Sequence, residues 1–231
     1  MPTVQPAHSP TLHLQVADTG ERLDLVADRL IVAGYTGRDV AAVRAHIEEL
    51  AAIGVPAPPT VPTFYDLDPA LLTTDPIIEV TGGNTSGEVE PVLIRHNGRF
   101  FLGVGSDHTD RDLERGDITA SKAACAKPLS ERVIPLPADL ESVDWDRIGA
   151  SSSVDDQQYQ RGTLAALRTP ADLIAKLTSA VKDLDGDMVV FAGTLPLLAG
   201  RFVPGTKWRL TMNTSEGTTL TRSYEVKRRS A

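Results

Sequence analysis

The sequence predicts a mixed α+β domain in which many short strands are accompanied by a few helices. Short alternating or apolar runs separated by turn residues recur along the 231 residues, and only a few segments have helical spacing. A chain of this length fits one large domain, which we expect to span residues 1–231 with 1–30 as a small N-terminal strand segment.

The first part of the chain is predicted to form short strands and one amphipathic helix. Residues 11–16 alternate between apolar and polar side chains, and residues 30–33 form a short apolar run. Residues 38–53 carry apolar side chains at helical spacing, with Asp39 as a possible N-cap. The proline-rich stretch 55–76 predicts an extended loop with little regular structure, because proline lacks a backbone donor.

The pattern changes to β after this stretch. Residues 77–80 read as a strand, and residues 88–94 and 99–104 read as a pair joined at Asn97-Gly98, a dipeptide that favours tight hairpins. Residues 109–124 are compatible with a helix.

The last third of the chain combines an irregular stretch with one helix and further strands. Residues 139–153 are acidic and then serine-rich, which predicts a loop. Thr169-Pro170 is a strong helix start, with threonine as N-cap and proline at the first helical position. Strands are then predicted at 187–192, 207–212 and 219–226.

Composition and charge exclude several classes of function. The net charge of -8 argues against nucleic acid or an anionic membrane as the main partner. The single cysteine, Cys125, excludes an internal disulfide and a cysteine-based zinc cluster. The sequence has neither an apolar run of about 20 residues nor a signal-peptide pattern, so we expect a cytoplasmic protein.

Two acidic stretches carry the clearest chemical signal. Glu88 and Glu90 are two residues apart, so on a strand both carboxylates project from the same face. Like charges at that spacing repel, and a divalent cation between them removes the repulsion. The second stretch, residues 106–112, adds Asp107 as a third candidate ligand and Arg111 as a candidate carboxylate-binding group.

Other interpretations of these residues remain open at this point. Glu88 and Glu90 could be solvent-facing strand residues, and Arg111 could merely pair with a neighbouring acid. Lys122 reads by default as a surface lysine near the end of a helix. Gly193-Thr194 follows an apolar strand and offers backbone donors and a hydroxyl, which suits an anion.

Taken together, these stretches resemble the fumarylacetoacetate hydrolase superfamily, and most closely a bacterial branch without a characterised member. The resemblance rests on Glu88-Val89-Glu90, on Ser106-Asp107-His108-Thr109-Asp110-Arg111-Asp112, and on Lys122 at the expected distance after them. Gly193-Thr194-Leu195-Pro196 and Pro204-Gly205-Thr206 match a further motif pair loosely. The order and approximate spacing agree across residues 30–226.

The resemblance implies a β-rich roll of mixed sheets with a few peripheral helices, and a Mg²⁺ or Mn²⁺ ion held by Glu88, Glu90 and Asp107. It also implies that Arg111 and Lys122 bind the oxygens of an oxo-acid substrate, that Thr194 contacts the substrate carboxylate, and that the protein is a homodimer.

The resemblance is weakest at the residues that activate water. Superfamily hydrolases carry a histidine in an Asn-Tyr-x-x-His stretch, whereas this chain has Gly34-Tyr35-Thr36-Gly37-Arg38. Tyr35 and Arg38 are therefore candidate substrate-binding residues. His46 and Glu49, which share a helix face, are candidate catalytic residues together with Lys122, or simply an exposed pair. Glu114 replaces the glutamine that is frequent in the family after Arg-Asp.

Three functions follow as hypotheses. The first is a metal-dependent hydrolase or lyase that cleaves a C–C bond in a 2-oxo acid or an acylpyruvate-like 1,3-dicarbonyl. The second is a decarboxylase, tautomerase or hydratase on a similar oxo acid, since each of these reactions needs only a metal-stabilised enolate. The third is a protein that binds a metal–carboxylate ligand without turnover.

Overall fold

The computed structural model describes residues 9–52 and 57–229, and strands dominate these ranges. The strands are β1 Thr11–Val16, β2 Arg22–Val26, β3 Arg29–Gly34, β4 Thr63–Leu67, β5 Leu72–Thr73, β6 Ile77–Val80, β7 Thr85–Ser86, β8 Val89–His96, β9 Arg99–Ser106, β10 Thr109–Asp110, β11 Lys127–Pro128, β12 Arg132–Pro135, β13 Gly149–Val154, β14 Gln157–Thr163, β15 Met188–Phe191, β16 Lys207–Asn213 and β17 Thr219–Arg228. The helices are α1 Val40–Ala52, α2 Arg111–Glu114, α3 Ile118–Ala123 and α4 Pro170–Ala180.

Within the described residues, the larger sheet is mixed and has the order β2-β1-β12-β9-β8-β15-β3-β4. Its centre is the antiparallel β8/β9 hairpin, in which Val89 pairs with Ser106 and His96 pairs with Arg99. The turn residues Asn97 and Gly98 both have positive φ, which matches the tight hairpin predicted from that dipeptide.

The second sheet is smaller and has the order β14-β13-β16-β17-β6. Strands β6, β16 and β17 of this sheet alternate between exposed and buried side chains over most of their length, so one face is covered and the other meets solvent. The covered face contributes Trp208, Leu210 and Met212 to the largest apolar cluster.

The central strands of the larger sheet are buried on both faces, whereas β1 and β2 at one edge expose every second side chain. Side chains such as Leu93, Leu102 and Val190 belong to the cluster shared with the smaller sheet. Their neighbours along the same strands, Ile94 and Phe101, belong to a second cluster with side chains of β1 and β2. Burial on both faces explains why the central strands read as continuous apolar runs in the sequence.

The predicted loop at 55–76 is partly wrong. Residues Thr63–Leu67 form β4, which pairs antiparallel with β3 at the edge of the larger sheet. The segment lies between Pro62 and Pro69 and is itself free of proline, so its backbone donors are available for the ladder.

The predicted irregular stretch at 139–153 is wrong over its last residues, and a strand pair was missed. Residues Gly149–Val154 pair with both Gln157–Thr163 and Lys207–Asn213. The turn uses Asp155 and Asp156, both with positive φ. Serine-rich strands lack an apolar signature, and here the pairing partners supply the order that local propensity does not.

The predicted helix at 109–124 is also divided. β10 covers Thr109–Asp110, and the helical part breaks into α2 and α3 around Gly116-Asp117. Asp110 caps α2 by accepting from the backbone of Asp112 and Leu113, and Asp117 caps α3 by accepting from Ala120. A second N-cap within the segment starts a new helix instead of continuing the first.

The start of α4 is the one that the sequence predicts. The Thr169 hydroxyl accepts a hydrogen bond from the backbone N–H of Asp172 at 3.4 Å, and Pro170 occupies the first turn. We expect Thr169→Ala to lower the free energy of unfolding by about 1 kcal/mol, measured by chemical denaturation. Thr178→Ala, on the exposed surface of the same helix, is the control and should cost less; equal losses in the two variants would contradict the capping role.

None of the helices in residues 9–52 and 57–229 is long and apolar enough to cross a membrane.

Candidate metal centre

The β8/β9 hairpin brings three carboxylates together. Glu88 directly precedes β8, Glu90 lies within it, and Asp107 directly follows β9. Because the start of β8 lies opposite the end of β9, the backbone N–H of Asp107 donates to the carbonyl of Glu88 at 3.2 Å. One carboxylate oxygen from each of these three residues lies within 4.8 Å of the other two.

Burial decides between the two interpretations of the glutamates. The exposed fraction is 9% for Glu88, 2% for Glu90 and 0% for Asp107, so none of them is a solvent-facing strand residue. Three buried carboxylates at this spacing need compensating cations, because desolvation and mutual repulsion both oppose their ionised forms.

Two lysines supply part of that compensation at Asp107. The Lys122 ammonium contacts Asp107 Oδ2, and the Lys127 ammonium lies 3.0 Å from Asp107 Oδ1. Burial alone would raise the pKa of Asp107, but the two ammonium groups overcome that effect and hold the pKa below its ordinary value. Lys122 is therefore not the surface lysine of the default interpretation; it is buried against this centre.

Glu90 has a different environment. Burial, followed by the nearby charge of Asp107, raises the pKa of its carboxyl well above the ordinary value. The backbone N–H of Gly193 donates to Glu90 Oε2 at 2.8 Å. Gly193 has a φ of +103°, and a Cβ atom there would lie 1.7 Å from the Thr36 hydroxyl oxygen, so this close approach requires glycine.

Glu88 faces Arg111. The two charged groups are 3.3 Å apart between Oε2 and Nη2, and the guanidinium is almost completely buried. Burial opposes ionisation of both groups. The flanking carboxylates nevertheless raise the pKa of Arg111 above its ordinary value, so its guanidinium stays cationic. For Glu88, burial outweighs the attraction of Arg111 and raises its pKa.

Thr194, a predicted substrate contact, is engaged with the scaffold. Its hydroxyl donates to the carbonyl of Val89 at 2.9 Å and accepts from Gln160 Nε2 at 2.8 Å. Gln160 also accepts from the backbone N–H of Val89 and from Ser152, so it joins β13, β14 and β8. These bonds hold the start of β8, and thus Glu88 and Glu90, against the neighbouring sheet.

Tyr35 and Arg38 occupy different environments. Tyr35 is half-buried, and its pKa is raised by burial and by the nearby charge of Glu114, while Lys122 opposes this. Arg38 is exposed and forms a two-point ion pair with Asp146, with distances of 2.8 and 2.6 Å. Arg38 is thus paired with Asp146 at the surface, and the role of Tyr35 in substrate binding stays a prediction.

The two remaining candidates belong to α1. The structure describes the helix backbone at His46 and Glu49, but their side chains lie outside the described part of the structure. Their roles as general base and orienting partner stay predictions.

Two buried residues of the centre were missed by the sequence analysis. Lys127 is fully buried and donates to the backbone carbonyls of His108 and Lys122 as well as approaching Asp107. His108 is also fully buried, between the Tyr224 hydroxyl at 3.0 Å from Nδ1 and the Thr85 hydroxyl at 2.9 Å from Nε2. Burial, reinforced by nearby Lys127, lowers the pKa of His108 to about 3, so its ring is neutral and structural.

The donor set fits a hard divalent cation. Mg²⁺ and Mn²⁺ favour carboxylate oxygens and commonly take only a few protein ligands, leaving positions for water and substrate. Glu88, Glu90 and Asp107 supply three such oxygens from a rigid hairpin, and no sulfur ligand lies among them.

Comparisons with known proteins identify the family. The family model described as "Protein of unknown function (DUF2848)" matches residues 33–224. The chain belongs to this DUF2848 family. A search of curated proteins found no match.

Solved structures show the fold of this DUF2848 chain. A fumarylpyruvate hydrolase from Pseudomonas aeruginosa, solved with Mn²⁺ and pyruvate, has a TM-score of 0.64 and 17% identity over 99% of this chain and 100% of its own. A protein from Oleispira antarctica, proposed to be a fumarylacetoacetate isomerase or hydrolase, has a TM-score of 0.69 and 19% identity over 93% of this chain and 99% of its own. A 5-carboxymethyl-2-hydroxymuconate delta-isomerase from Mycobacterium smegmatis has a TM-score of 0.60 and 17% identity over 92% of this chain and 87% of its own.

At these identities the similarity concerns the fold alone. The DUF2848 chain has the β-rich mixed-sheet fold of the fumarylacetoacetate hydrolase superfamily, as the sequence resemblance predicted.

Proposed function

We propose that this protein is a divalent-cation-dependent enzyme that cleaves a C–C bond in a 2-oxo acid or acylpyruvate-like 1,3-dicarbonyl. The observation that carries the proposal is the buried group of Glu88, Glu90 and Asp107 with the Lys122 ammonium against it. The same fold, in the fumarylpyruvate hydrolase neighbour, was solved with Mn²⁺ and pyruvate.

The roles of the chain's own residues follow from their placement. Glu88, Glu90 and Asp107 would hold Mg²⁺ or Mn²⁺, which when bound supplies Lewis-acid stabilisation of an enolate oxygen. Lys122 would place a positive charge beside the same oxygen. Its contact with Asp107 raises the pKa of the ammonium against the opposing effect of burial, so Lys122 is charged at neutral pH.

Decarboxylation, tautomerisation or hydration is a second candidate, and one observation favours it. Arg38 stands where the superfamily hydrolases have a histidine, and it is paired with Asp146 on the surface. Decarboxylation and tautomerisation pass through an enolate that is then protonated, so neither requires water activation from that position; hydration adds a water molecule and is not favoured by this observation.

The test is a product analysis with the metal-loaded protein. Acetylpyruvate is incubated with protein and Mn²⁺, or with protein and excess chelator, and pyruvate is measured. We expect pyruvate release that depends on Mn²⁺ and falls at least about a hundredfold in Lys122→Met, the magnitude typical for a lost electrostatic group of an active site. Lys176→Met, on the surface of α4, is the matched control.

The outcomes separate the hypotheses. Release of CO₂ from oxaloacetate without pyruvate from acetylpyruvate would favour the decarboxylase. Ligand binding without turnover of any oxo acid would favour a binding protein and contradict the enzyme proposal.

A further inference from the structure

Arg111 has its hydrogen-bonding groups occupied by the protein itself. Its Nε donates to the Ser86 hydroxyl at 2.7 Å, and its Nη1 lies 3.0 Å from both carboxylate oxygens of Glu114. Its Nη2 faces Glu88 at 3.3 Å and the Ser86 carbonyl at 3.5 Å. A guanidinium has five N–H donors, and here all three nitrogens face protein acceptors.

One face of the same guanidinium is covered by an aromatic ring. The Cζ atom of Arg111 lies 3.7 Å from the centroid of the Phe202 ring, within the range of a cation–π contact. Phe202 nevertheless remains 42% exposed, so the solvent side of Arg111 presents a phenyl ring. A ligand that approaches from this side meets an apolar surface before it meets the charge.

We infer that Glu114 is a specificity-determining residue: it engages Arg111, which then positions Glu88 instead of binding a substrate carboxylate. The site accordingly selects a 2-oxo acid with a single carboxylate and an uncharged tail that lies against Phe202. This inference rests on the proposed function, and it differs from the expectation that Arg111 binds the substrate.

The charge balance points in the same direction. Among the described side chains of this centre, the carboxyl groups are Glu88, Glu90, Asp107 and Glu114, and the cationic groups are Arg111, Lys122 and Lys127. A divalent cation would leave a single formal positive charge, which one carboxylate neutralises. A second carboxylate on the ligand would meet an Arg111 guanidinium that Glu88 and Glu114 already engage.

The test compares two ligands of equal length that differ only at the distal end. 2-Oxopentanoate ends in a methyl group, and 2-oxoglutarate ends in a carboxylate. Calorimetric titration of each into the Mn²⁺-loaded protein gives the ratio of their affinities. We expect the wild type to bind 2-oxopentanoate about tenfold more tightly or better, as expected for one uncompensated charge in a partly buried site.

Two variants trace the preference to the Glu114–Arg111 pair. Glu114→Gln keeps the shape of the side chain but removes its negative charge, so the Nη1 group of Arg111 becomes available to a ligand carboxylate. The affinity for 2-oxoglutarate should therefore rise about tenfold relative to that for 2-oxopentanoate. Adding Arg111→Met to Glu114→Gln should abolish that gain. Glu216→Gln, an exposed glutamate in the turn before β17, removes the same charge and should leave the ratio unchanged.

The wild-type ratio decides the inference even if a variant fails to fold. Equal affinities, or tighter binding of 2-oxoglutarate by the wild type, would overturn it, as would a Glu114→Gln variant with an unaltered ratio. Absence of Mn²⁺ binding in the wild type is a separate result that would overturn the proposed function and this inference together.

Discussion

Replacing Glu88 and Glu90 together by glutamine will weaken Mn²⁺ binding by more than about a hundredfold while the fold is retained. Loss of a group that only supports a ligand already costs about 10- to 100-fold in metal affinity, and this variant removes two carboxylate ligands. Both side chains belong to the group whose oxygens lie within 4.8 Å of one another. Isothermal titration calorimetry with Mn²⁺ measures the change.

The same variant should not lose stability in the absence of metal. The folded-state pKa of each glutamate is raised, by burial first, so deprotonation above the unfolded pKa costs folding free energy. Glutamine removes this cost, and its amide oxygen can still accept from Gly193 in place of Glu90. We therefore expect an equal or higher free energy of unfolding at neutral pH.

A double variant of two exposed glutamates controls for the change in net charge. Glu216→Gln with Glu225→Gln removes the same number of carboxylates from the surface and should bind Mn²⁺ like the wild type. Unaltered Mn²⁺ affinity in the Glu88/Glu90 variant, with native circular dichroism, would show that the metal site is assigned to the wrong residues.

Replacing Asp107 by asparagine is expected to have the largest effect on stability. Asp107 lies within 4.0 Å of the ammonium groups of both Lys122 and Lys127, and all three side chains are buried. Removing one partner of a buried ion pair leaves an uncompensated charge, which costs about 3–5 kcal/mol. Chemical denaturation of Asp107→Asn at neutral pH measures the loss.

The pH dependence gives an independent check with a defined sign. The folded-state pKa of Asp107 lies below its unfolded value, so its contribution is fully present above the unfolded pKa of about 4 and is lost as the pH falls towards the folded value. The difference in stability between wild type and Asp107→Asn should therefore shrink below about pH 4.

Asp24→Asn is the matched control for this experiment. Asp24 is exposed and pairs with His13 on the surface of the β1/β2 ladder, where an ion pair contributes about 0–1 kcal/mol. A similar loss for Asp24→Asn and Asp107→Asn would contradict the account of a charged buried centre.

Local patterns predicted much of the fold. The Asn97-Gly98 hairpin and the Thr169 cap depend on a few adjacent residues, and both occur where the sequence places them. The strand pair at 149–163 was missed because its serines have no apolar alternation, and its order comes from pairing with Lys207–Asn213.

Part of the candidate site is visible in the sequence in the same way. Glu88 and Glu90 share a face because a strand repeats every two residues. Lys127 and His108 gave no such signal. A lysine and a histidine are ordinary surface residues by composition, and only their burial against Asp107 and Tyr224 gives them a role.

The sequence by itself determined the strand carboxylates and, through the order of its motifs, the fold class. The spacing of the carboxylates is a local feature, and the order of the motifs is read directly along the chain. Neither requires knowledge of contacts between distant residues. Only the tertiary structure decided that Asp107 lies beside Glu88, that two lysines neutralise it, and that Glu114 occupies Arg111. These contacts depend on the register of β8 and β9, on the packing of α2 against β7 and β10, and on the packing of α3 against β10 and β4. The energy of a buried charge depends on every group around it.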